Sequence, residues 1–529
     1  MEIRMGSGEG PMVQSPSRCI QDFAQQTMIR QREWAEQLLK APDDFAHIEQ
    51  EIDQHFRNGA GHFVAAVVAQ VSSQPAMDEH TERIRREAAI PLKAPQQRPL
   101  RVRLLCGLVL FISTSYCAPR HAKQKSKQSQ TEQSGLYPEL AALGFGKGCS
   151  PALQYMVARI VALTPSFDVA RKELARQGIR LDKKAVRRIA EQLGVQLLAL
   201  RQRELLAWRM GELPAGSEFA GRRVAVQIDG GRIRMRENKK TKKKKKGNRK
   251  KGRTKFRTPW REPKVLTIFE IDKHGKMVKK HCQPFIDGTL LGPDHLAEMV
   301  AFHLHRLGVA QAKLVVFAAD GARWIWDRLE WIERRVGLDS SRTVHVLDFC
   351  HAAHHISLAL NAVSVKETRR KKMYRELRTL LKRSRYDRVV KRLKRLARGQ
   401  PKDNDIWTEI RYLEKHGREG HLNYATFRRR GIPCGSGAIE STIRRVINLR
   451  LKSNAMYWLE ENAEAIFAVR AILLCDRWEE TLCRLRRSMA RDRSLTWKWN
   501  APDNMNASVE VELPDSEHGS TQEPTNVAA

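Results

Sequence analysis

Val224-Ala-Val-Gln-Ile-Asp229-Gly-Gly231 and Leu314-Val-Val-Phe-Ala-Ala-Asp320-Gly-Ala322 are the two stretches from which the architecture of the chain can be read. Successive side chains of a strand point to opposite faces, so Val224, Val226 and Ile228 share one face and Asp229 lies on the other. The second stretch is a short continuous apolar run, as in a strand covered on both sides, and it delivers Asp320 at its carboxyl end. Around them, 222–236, 264–272 and 277–285 read as three successive strands. A helix over 293–307, the strand 313–319, a helix over 322–336 and a strand over 343–347 follow. Three strands in a meander, then helix, strand, helix, strand, is the order of a layered α/β domain with a mixed sheet. Each Asp-Gly pair alone reads as a turn. Side by side at neighbouring strand ends, the two carboxylates repel and call for a cation between them.

A third carboxylate comes from Gly431-Ile-Pro-Cys-Gly-Ser-Gly-Ala-Ile-Glu440-Ser-Thr-Ile-Arg-Arg445, where a Gly/Ser loop gives way to a helix. Ile443, Arg444 and Ile447 stand at i+3, i+4 and i+7 from Glu440, so the carboxylate can look onto the sheet while the isoleucines pack. Taken alone, Glu440 is also a first-turn acid of the kind the helix dipole favours.

With 529 residues the chain exceeds one ordinary core, and several folded units are expected. Lys and Arg number 96 against 59 Asp and Glu, a formal net charge of +37. That excess points to a polyanionic partner, most simply nucleic acid, bound with a steep salt dependence. The nine cysteines are scattered with no C-x-x-C pair, which excludes a disulfide framework and fits a reducing, cytoplasmic setting. The longest apolar run, 104–112, is about half a bilayer span, and the start of the chain lacks a signal pattern, so no membrane role is expected.

The charge is concentrated in particular segments. Residues 239–257 form a Lys/Arg run with almost no apolar side chain, a loop suited to gripping phosphate through residues such as Lys242 and Lys243. Residues 364–422 read as basic helices with an apolar stripe of Tyr374, Leu377, Leu380 and Leu381. Between 151 and 202, a helix over 167–177, Gly178, and a helix opened by Asp182 and running to 193 give a helix-turn-helix pattern. Its second helix carries Lys183, Lys184, Arg187 and Arg188; a plain helical hairpin has the same signature. Helical periodicity through Phe23, Ile29, Trp34, Leu38 and Leu39 makes the start of the chain helical. The stretch 121–134 reads as a linker, and the acidic tail beyond Lys498 as disordered.

Asp229-Gly-Gly, Asp320-Gly-Ala-Arg-Trp-Ile-Trp326, Asp348-Phe-Cys-His351 and Gly435-Ser-Gly-Ala-Ile-Glu440-Ser, in this order and with a helical insertion before the Glu, resemble the bacterial insertion-sequence transposases of the ISKra type. A more distant likeness runs to the Mutator-like eukaryotic elements. The resemblance covers about 151–478 and implies a multidomain α+β chain with a ribonuclease H-like catalytic core. Its parts would be a helical region 1–98, a strand and loop region 99–149 like a degenerate zinc ribbon, and a helix-turn-helix unit 150–212. The core would follow over 218–363 with the basic loop 239–257, be interrupted by a basic helical insertion 364–422, and finish over 430–490 with the Glu helix, ahead of a disordered tail 499–529. Asp229, Asp320 and Glu440 match the family's acidic triad, and His351 the histidine near its active site. Lys183, Lys184, Arg187, Arg188, Lys242, Lys243, Arg444 and Arg445 are the expected DNA contacts. Cys106 and Cys117 lack the close pairing of the family's zinc element.

The activity implied is metal-dependent cleavage of double-stranded DNA at the ends of an insertion sequence, followed by attack of the exposed 3′ hydroxyl on target DNA. Hard carboxylate oxygens suit Mg²⁺ or Mn²⁺, and two such ions stabilise both oxygens of an in-line displacement. The protein would act as a homo-oligomer on DNA, in a bacterial cytoplasm and associated with the nucleoid. The same residues also fit a ribonuclease H-like nuclease or resolvase without strand joining, or a non-catalytic DNA-binding regulator derived from a transposase.

Overall fold

Alternating and continuous apolar strands flanked by amphipathic helices assemble, in the computed structural model of the chain, into a mixed α+β architecture around a mixed sheet. The structure describes residues 2–5, 15–88, 91–120, 135–238, 255–454 and 456–491, all within the unit Met1–Trp497. The linker 121–134, Lys242 and Lys243 with most of the basic loop, and the acidic tail lie outside the described residues.

The chain opens with β1 (Glu2–Met5) and the helices α1 (Pro16–Lys40), α2 (Phe45–Ser72) and α3 (Pro75–Arg86). The strands β2 (Leu92–Arg103) and β3 (Val109–Pro119) follow, and β1-β3-β2 form an antiparallel sheet. Ile3, Val102, Leu110 and Ile112 are buried there against Ala65 and Val68 of α2. Cys117 and Cys149 are buried thiols, and among the described residues no cysteine joins a potential metal-binding cluster.

After α4 (Pro138–Ala142) come α5 (Pro151–Leu163), α6 (Phe167–Arg176) and α7 (Lys183–Arg209). The Ser166 hydroxyl caps α6, and Asp182 caps α7 by accepting from Lys184 N at 2.8 Å and Ala185 N at 2.9 Å. The second helix therefore starts where the sequence predicts but does not stop at residue 193. Leu197, Leu198, Leu200, Leu205 and Trp208 continue its apolar face, and no breaker intervenes. Gly194 is tolerated inside the helix because a side chain there would strike the Ala465 carbonyl.

The central strands are β4 (Arg223–Gly230), the short pairs β5 (Ile233–Arg234), β6 (Glu237–Asn238), β7 (Phe256–Arg257) and β8 (Trp260–Arg261), then β9 (Lys264–Ile271), β10 (Met277–Val278) and β11 (Phe285–Thr289). The predicted strand 222–236 thus ends at Gly230, and the predicted strand 277–285 divides into two. With α8 (Pro293–Arg306), β12 (Leu314–Ala319), α9 (Arg323–Val336) and β13 (Thr343–Leu347), the sheet runs β10-β9-β4-β12-β13, and β11 also pairs with β9. β9 is antiparallel to its neighbours, whereas β4, β12 and β13 are parallel.

Both faces of this sheet are covered. Val224, Val226 and Ile228 pack on Leu296, Val300 and Leu304 of α8 and on Ile325 and Leu329 of α9. Ala225, Val316, Ala318 and Val346 face α10 (Phe349–Asn361) and the inserted helices α11 (Glu367–Lys382), α12 (Tyr386–Leu396) and α13 (Asp405–Arg418). Leu377 and Leu381 are the buried members of the α11 stripe. The chain returns through α14 (Tyr424–Arg429) and α15 (Gly437–Ile443), passes a π-helical turn at Arg444–Asn448, and finishes with α16 (Glu460–Leu474) and α17 (Trp478–Arg491). No described helix is long and apolar enough to cross a membrane.

A buried ion network locks α7, β11 and α16 together. Arg201 reaches Asp287 Oδ1 at 3.0 Å and Glu464 Oε1 at 2.9 Å, and Glu464 also accepts from Thr289 Oγ1 at 2.8 Å and Leu290 N at 2.7 Å. Removing one member of a buried, paired set leaves its partner charged and unsatisfied, which costs about 3–5 kcal/mol. Glu464→Ala should therefore lower unfolding free energy by about that amount in a denaturant titration. A loss below about 1 kcal/mol would mean that the network is not what fastens α7 to the sheet.

Candidate active site

The register places Ile228 of β4 opposite Ala319 of β12, and Ala319 opposite Leu347 of β13. Adjacent strands lie about 4.8 Å apart, so the next residue of each, Asp229, Asp320 and Asp348, forms a row along the carboxyl edge of the parallel strands. Asp229 and Asp320 are half-buried, whereas Asp348 is almost completely enclosed. Asp229 Oδ1 accepts from Gly230 N at 2.6 Å, and Asp320 Oδ1 from Ala322 N at 3.0 Å. The indole of Trp326 donates to the Asp320 carbonyl at 2.7 Å and fixes the start of α9 under the row. Burial, and then the charge of Asp320, push the Asp229 carboxyl up to about 6 against the pull of the Gly230 N–H and of His351.

Glu440 reaches this edge through a loop held at three levels. Arg223 of β4 donates to the carbonyls of Arg430 at 2.7 Å and Gly431 at 2.8 Å. Gln227, on the same face of β4 as Asp229, donates to Gly435 O and accepts from Ile439 N, both at 3.0 Å. Asp348 accepts from Ser436 N at 2.5 Å and from His351 N at 2.8 Å, so one carboxylate fastens the start of α10 to the turn before α15. The Glu440 side chain is exposed and accepts from the Ser436 hydroxyl at 3.0 Å. α15 also abuts the residues after Asp229: a side chain at Gly231 would strike Ile447 and lie 3.6 Å from Ile443. The neighbourhood of Glu440 and α10 shows in Cys350, whose thiol is raised by burial and then by the carboxylates of Asp348 and Glu440.

His351 is half-buried at the start of α10, and its charge is felt at Asp229. Cys350 and His354 are exposed, while His355 binds Glu409 at 2.5 Å and stacks on Tyr412 with ring centres 3.7 Å apart. These four residues do not gather as a metal cluster among the described residues. Of the other acids on the later helix, Glu464 is consumed by Arg201, and Glu460 pairs with Arg261 at 2.8 Å.

The carboxylates of Asp229, Asp320 and Glu440 do not all come within 4.8 Å of one another; among the described residues the group that does is His416, Glu419 and His421. Two ions about 4 Å apart spread their ligands over a longer distance than one ion does. A raised, half-buried Asp229 next to Asp320 is a donor pair that a divalent cation would relieve. Oxygen donors of this kind fit Mg²⁺ or Mn²⁺.

The expected DNA contacts fall on separate surfaces. Lys183, Lys184, Arg187 and Arg188 are all exposed at the amino end of α7, and Arg187 pairs with Glu191 at 2.7 Å. Lys183, Lys184 and Arg187 line one groove of about 490 Å³, while Arg188 lines another of about 500 Å³ with Arg101, Arg103 and Lys147. Arg444 is exposed one turn beyond Glu440; Arg445 is half-buried, and its carbonyl accepts from Arg470 Nε at 2.7 Å. Asp348 and Gln227, which position the Glu440 loop, are not singled out by sequence as site residues, although Asp348 stands in a recognised motif. Their roles rest on contacts across 88 and 208 residues.

No family model matches the chain, and no curated protein matches it. Among solved structures, the Drosophila P element transposase strand transfer complex is similar at 12% identity. The match covers 64% of this chain and 81% of that one, with a TM-score of 0.21.

The environment of Asp229 has a measurable consequence for stability. The folded chain protonates this carboxyl at about 6, against 3.8 ordinarily, so its contribution is fully present below about pH 4 and lost as pH rises through 6. Asp229→Asn should therefore raise the Tm of metal-free protein at pH 8 and change it little at pH 4. An unchanged or lower Tm at pH 8 would show that Asp229 is not held against its charge.

Proposed function

We propose that this chain is a transposase of the acidic-triad type, which cleaves DNA at the ends of a mobile element and joins the freed 3′ hydroxyl to a target. The observation that carries the reading is the row of carboxylates at the ends of adjacent parallel strands, with Glu440 held beside it, in a chain of net charge +37. Three antiparallel strands followed by two parallel ones is also the order of a ribonuclease H-like fold, and a helical insertion before the Glu helix fits the ISKra-type resemblance.

In this reading Asp229, Asp320 and Glu440 would hold two Mg²⁺ or Mn²⁺ ions, which would supply Lewis-acid stabilisation of the charge developing at phosphorus. The residues of the chain do the positioning. Asp229 and Asp320 stand on rigid strands that are buried on both faces, so the scissile phosphate is set against the sheet edge. Glu440 comes from α15 and can adjust, because its carboxylate is exposed and the Ser436 hydroxyl is its one hydrogen-bond partner among the described residues. His351 lies close enough to Asp229 to orient the phosphate or balance its charge. Arg444 follows Glu440 toward solvent, where an incoming backbone passes. Hydrolysis and strand joining use one site because both are displacements at phosphorus.

The test uses purified full-length protein, Mg²⁺, and a plasmid carrying the DNA that flanks its reading frame. Nicking at defined ends and joined products should appear, and Asp229→Asn, Asp320→Asn and Glu440→Gln should each reduce both by orders of magnitude. Double substitutions should cost little beyond single ones, since the residues act as a unit. DNA retention should survive in all three. Cleavage without joining would assign a nuclease instead, and normal cleavage by Glu440→Gln would remove that residue from the site.

A further inference from the structure

Beyond Asp229 the chain leaves the sheet and forms a two-stranded ribbon, β5 and β6 against β8 and β7. Alternation gives the ribbon two unlike faces. Ile233 and Met235 are buried at 0% and 1% exposure, while Arg232, Arg234 and Arg236 point the other way. On that outer face Trp260 is 41% exposed and Phe256 36%. The guanidinium of Arg234 lies 4.8 Å from the Trp260 ring centre and that of Arg232 5.1 Å, and Arg236 lies 4.5 Å from Phe256. None of these three arginines has an ion-pair partner among the described residues. Phe256 in turn meets Tyr457 edge-on at 5.6 Å.

Tyr457 lines the groove of about 490 Å³ that Arg236, Lys183 and Lys184 also line. Arg450 lines the same groove and is 1% exposed, between the rings of Phe167 at 4.7 Å and Trp458 at 5.3 Å. Its Nε donates to Val161 O, but among the described residues both terminal nitrogens are buried without a hydrogen-bond partner. Buried donors left unmade are costly, and a guanidinium with two free nitrogens matches a phosphate. Exposed rings interleaved with unpaired arginines suit a nucleic acid strand whose bases are free to stack, because a paired duplex offers no base faces.

We propose that the Arg232–Arg236 ribbon and the groove behind Tyr457 form a binding track for unpaired DNA, running from the carboxylate edge to Arg450. Bases stack on Trp260 and Phe256, the ribbon arginines follow the backbone, and a phosphate is received in the groove by Arg450, Lys183 and Lys184. The track begins three residues after Asp229, about 10 Å of extended chain, so it serves a strand that leaves the site after unpairing. This rests on the proposed DNA cleavage, which brings a strand end to that edge.

The experiment measures anisotropy of a labelled oligo-dT and of a blunt duplex with the full-length protein in EDTA, so that binding is separated from cleavage. Trp260→Ala should weaken oligo-dT binding by roughly tenfold and leave duplex binding within about twofold. Trp260→Phe should restore most of the loss, and Arg236→Gln should reduce the salt dependence of oligo-dT binding. The same preparations are assayed for Mg²⁺-dependent nicking. Equal loss for both DNAs, or no loss with Trp260→Ala, overturns the track even if nicking is intact. Selective loss of oligo-dT binding in a chain that never nicks DNA upholds the track and overturns the cleavage reading alone.

Discussion

The hydrogen bonds made by the buried Asp348 carboxylate, to Ser436 N at 2.5 Å and His351 N at 2.8 Å, join two parts of the chain that the insertion separates. A carboxylate taken out of water needs donors, and here they are two backbone N–H groups on different elements. Because Asp348 directly follows β13 and its own N–H donates to Ala319 O at 2.8 Å, its place is set by the sheet. The loop before Glu440 is thereby referred to the same strand ends that carry Asp229 and Asp320. Gln227 repeats the device two strands over, on β4, using both ends of its amide on Gly435 and Ile439.

This explains how a long insertion between Asp348 and Glu440 is tolerated. The inserted helices are packed against the sheet, with Leu377, Leu393, Ile410 and Leu413 in the same cluster as Val316 and Val346. They also support the site from beneath. Tyr412 of α13 occupies the space that a side chain at Gly321 would need, and Trp326, which holds the Asp320 carbonyl, lies against His421 and His416 with ring centres 4.3 and 4.9 Å away. Burial pulls those histidines down to about 3 and about 4, so they are neutral at physiological pH and place no charge behind Asp320.

What could be read in the sequence was what neighbouring residues dictate. The alternation of Val224, Val226 and Ile228 against Asp229, the apolar strand ending at Asp320, and the Gly/Ser loop before Glu440 all follow from local periodicity, and the strand order brought the first two together. The helix predicted to end at residue 193 runs on to Arg209, through Gly194, which packs against the backbone of α16. The strand expected over 222–236 spans Gly230 because Ile233 and Met235 keep the alternation going. What divides it is the partner: β4 pairs with β9, whereas Ile233 and Arg234 pair with Arg261 and Trp260.

The distribution of charge follows from the same division between what is fixed and what is exposed. Half-buried cations around the sheet are matched by acids: Arg201 by Asp287 and Glu464, Arg222 by Glu270 at 3.1 Å, Arg477 by Glu218. The excess therefore resides on surfaces, at the start of α7, on the ribbon and along the inserted helices, where repulsion is screened by salt and costs the fold little. Arg450 departs from this pattern, being enclosed by aromatic rings with its terminal nitrogens unmatched and its pKa lowered to about 10 by burial and Arg470. A core selected only for stability would replace such a group with an apolar one of similar size. Beside an open groove that Lys183 and Lys184 also line, such a guanidinium is suited to an anion, as the proposed track requires.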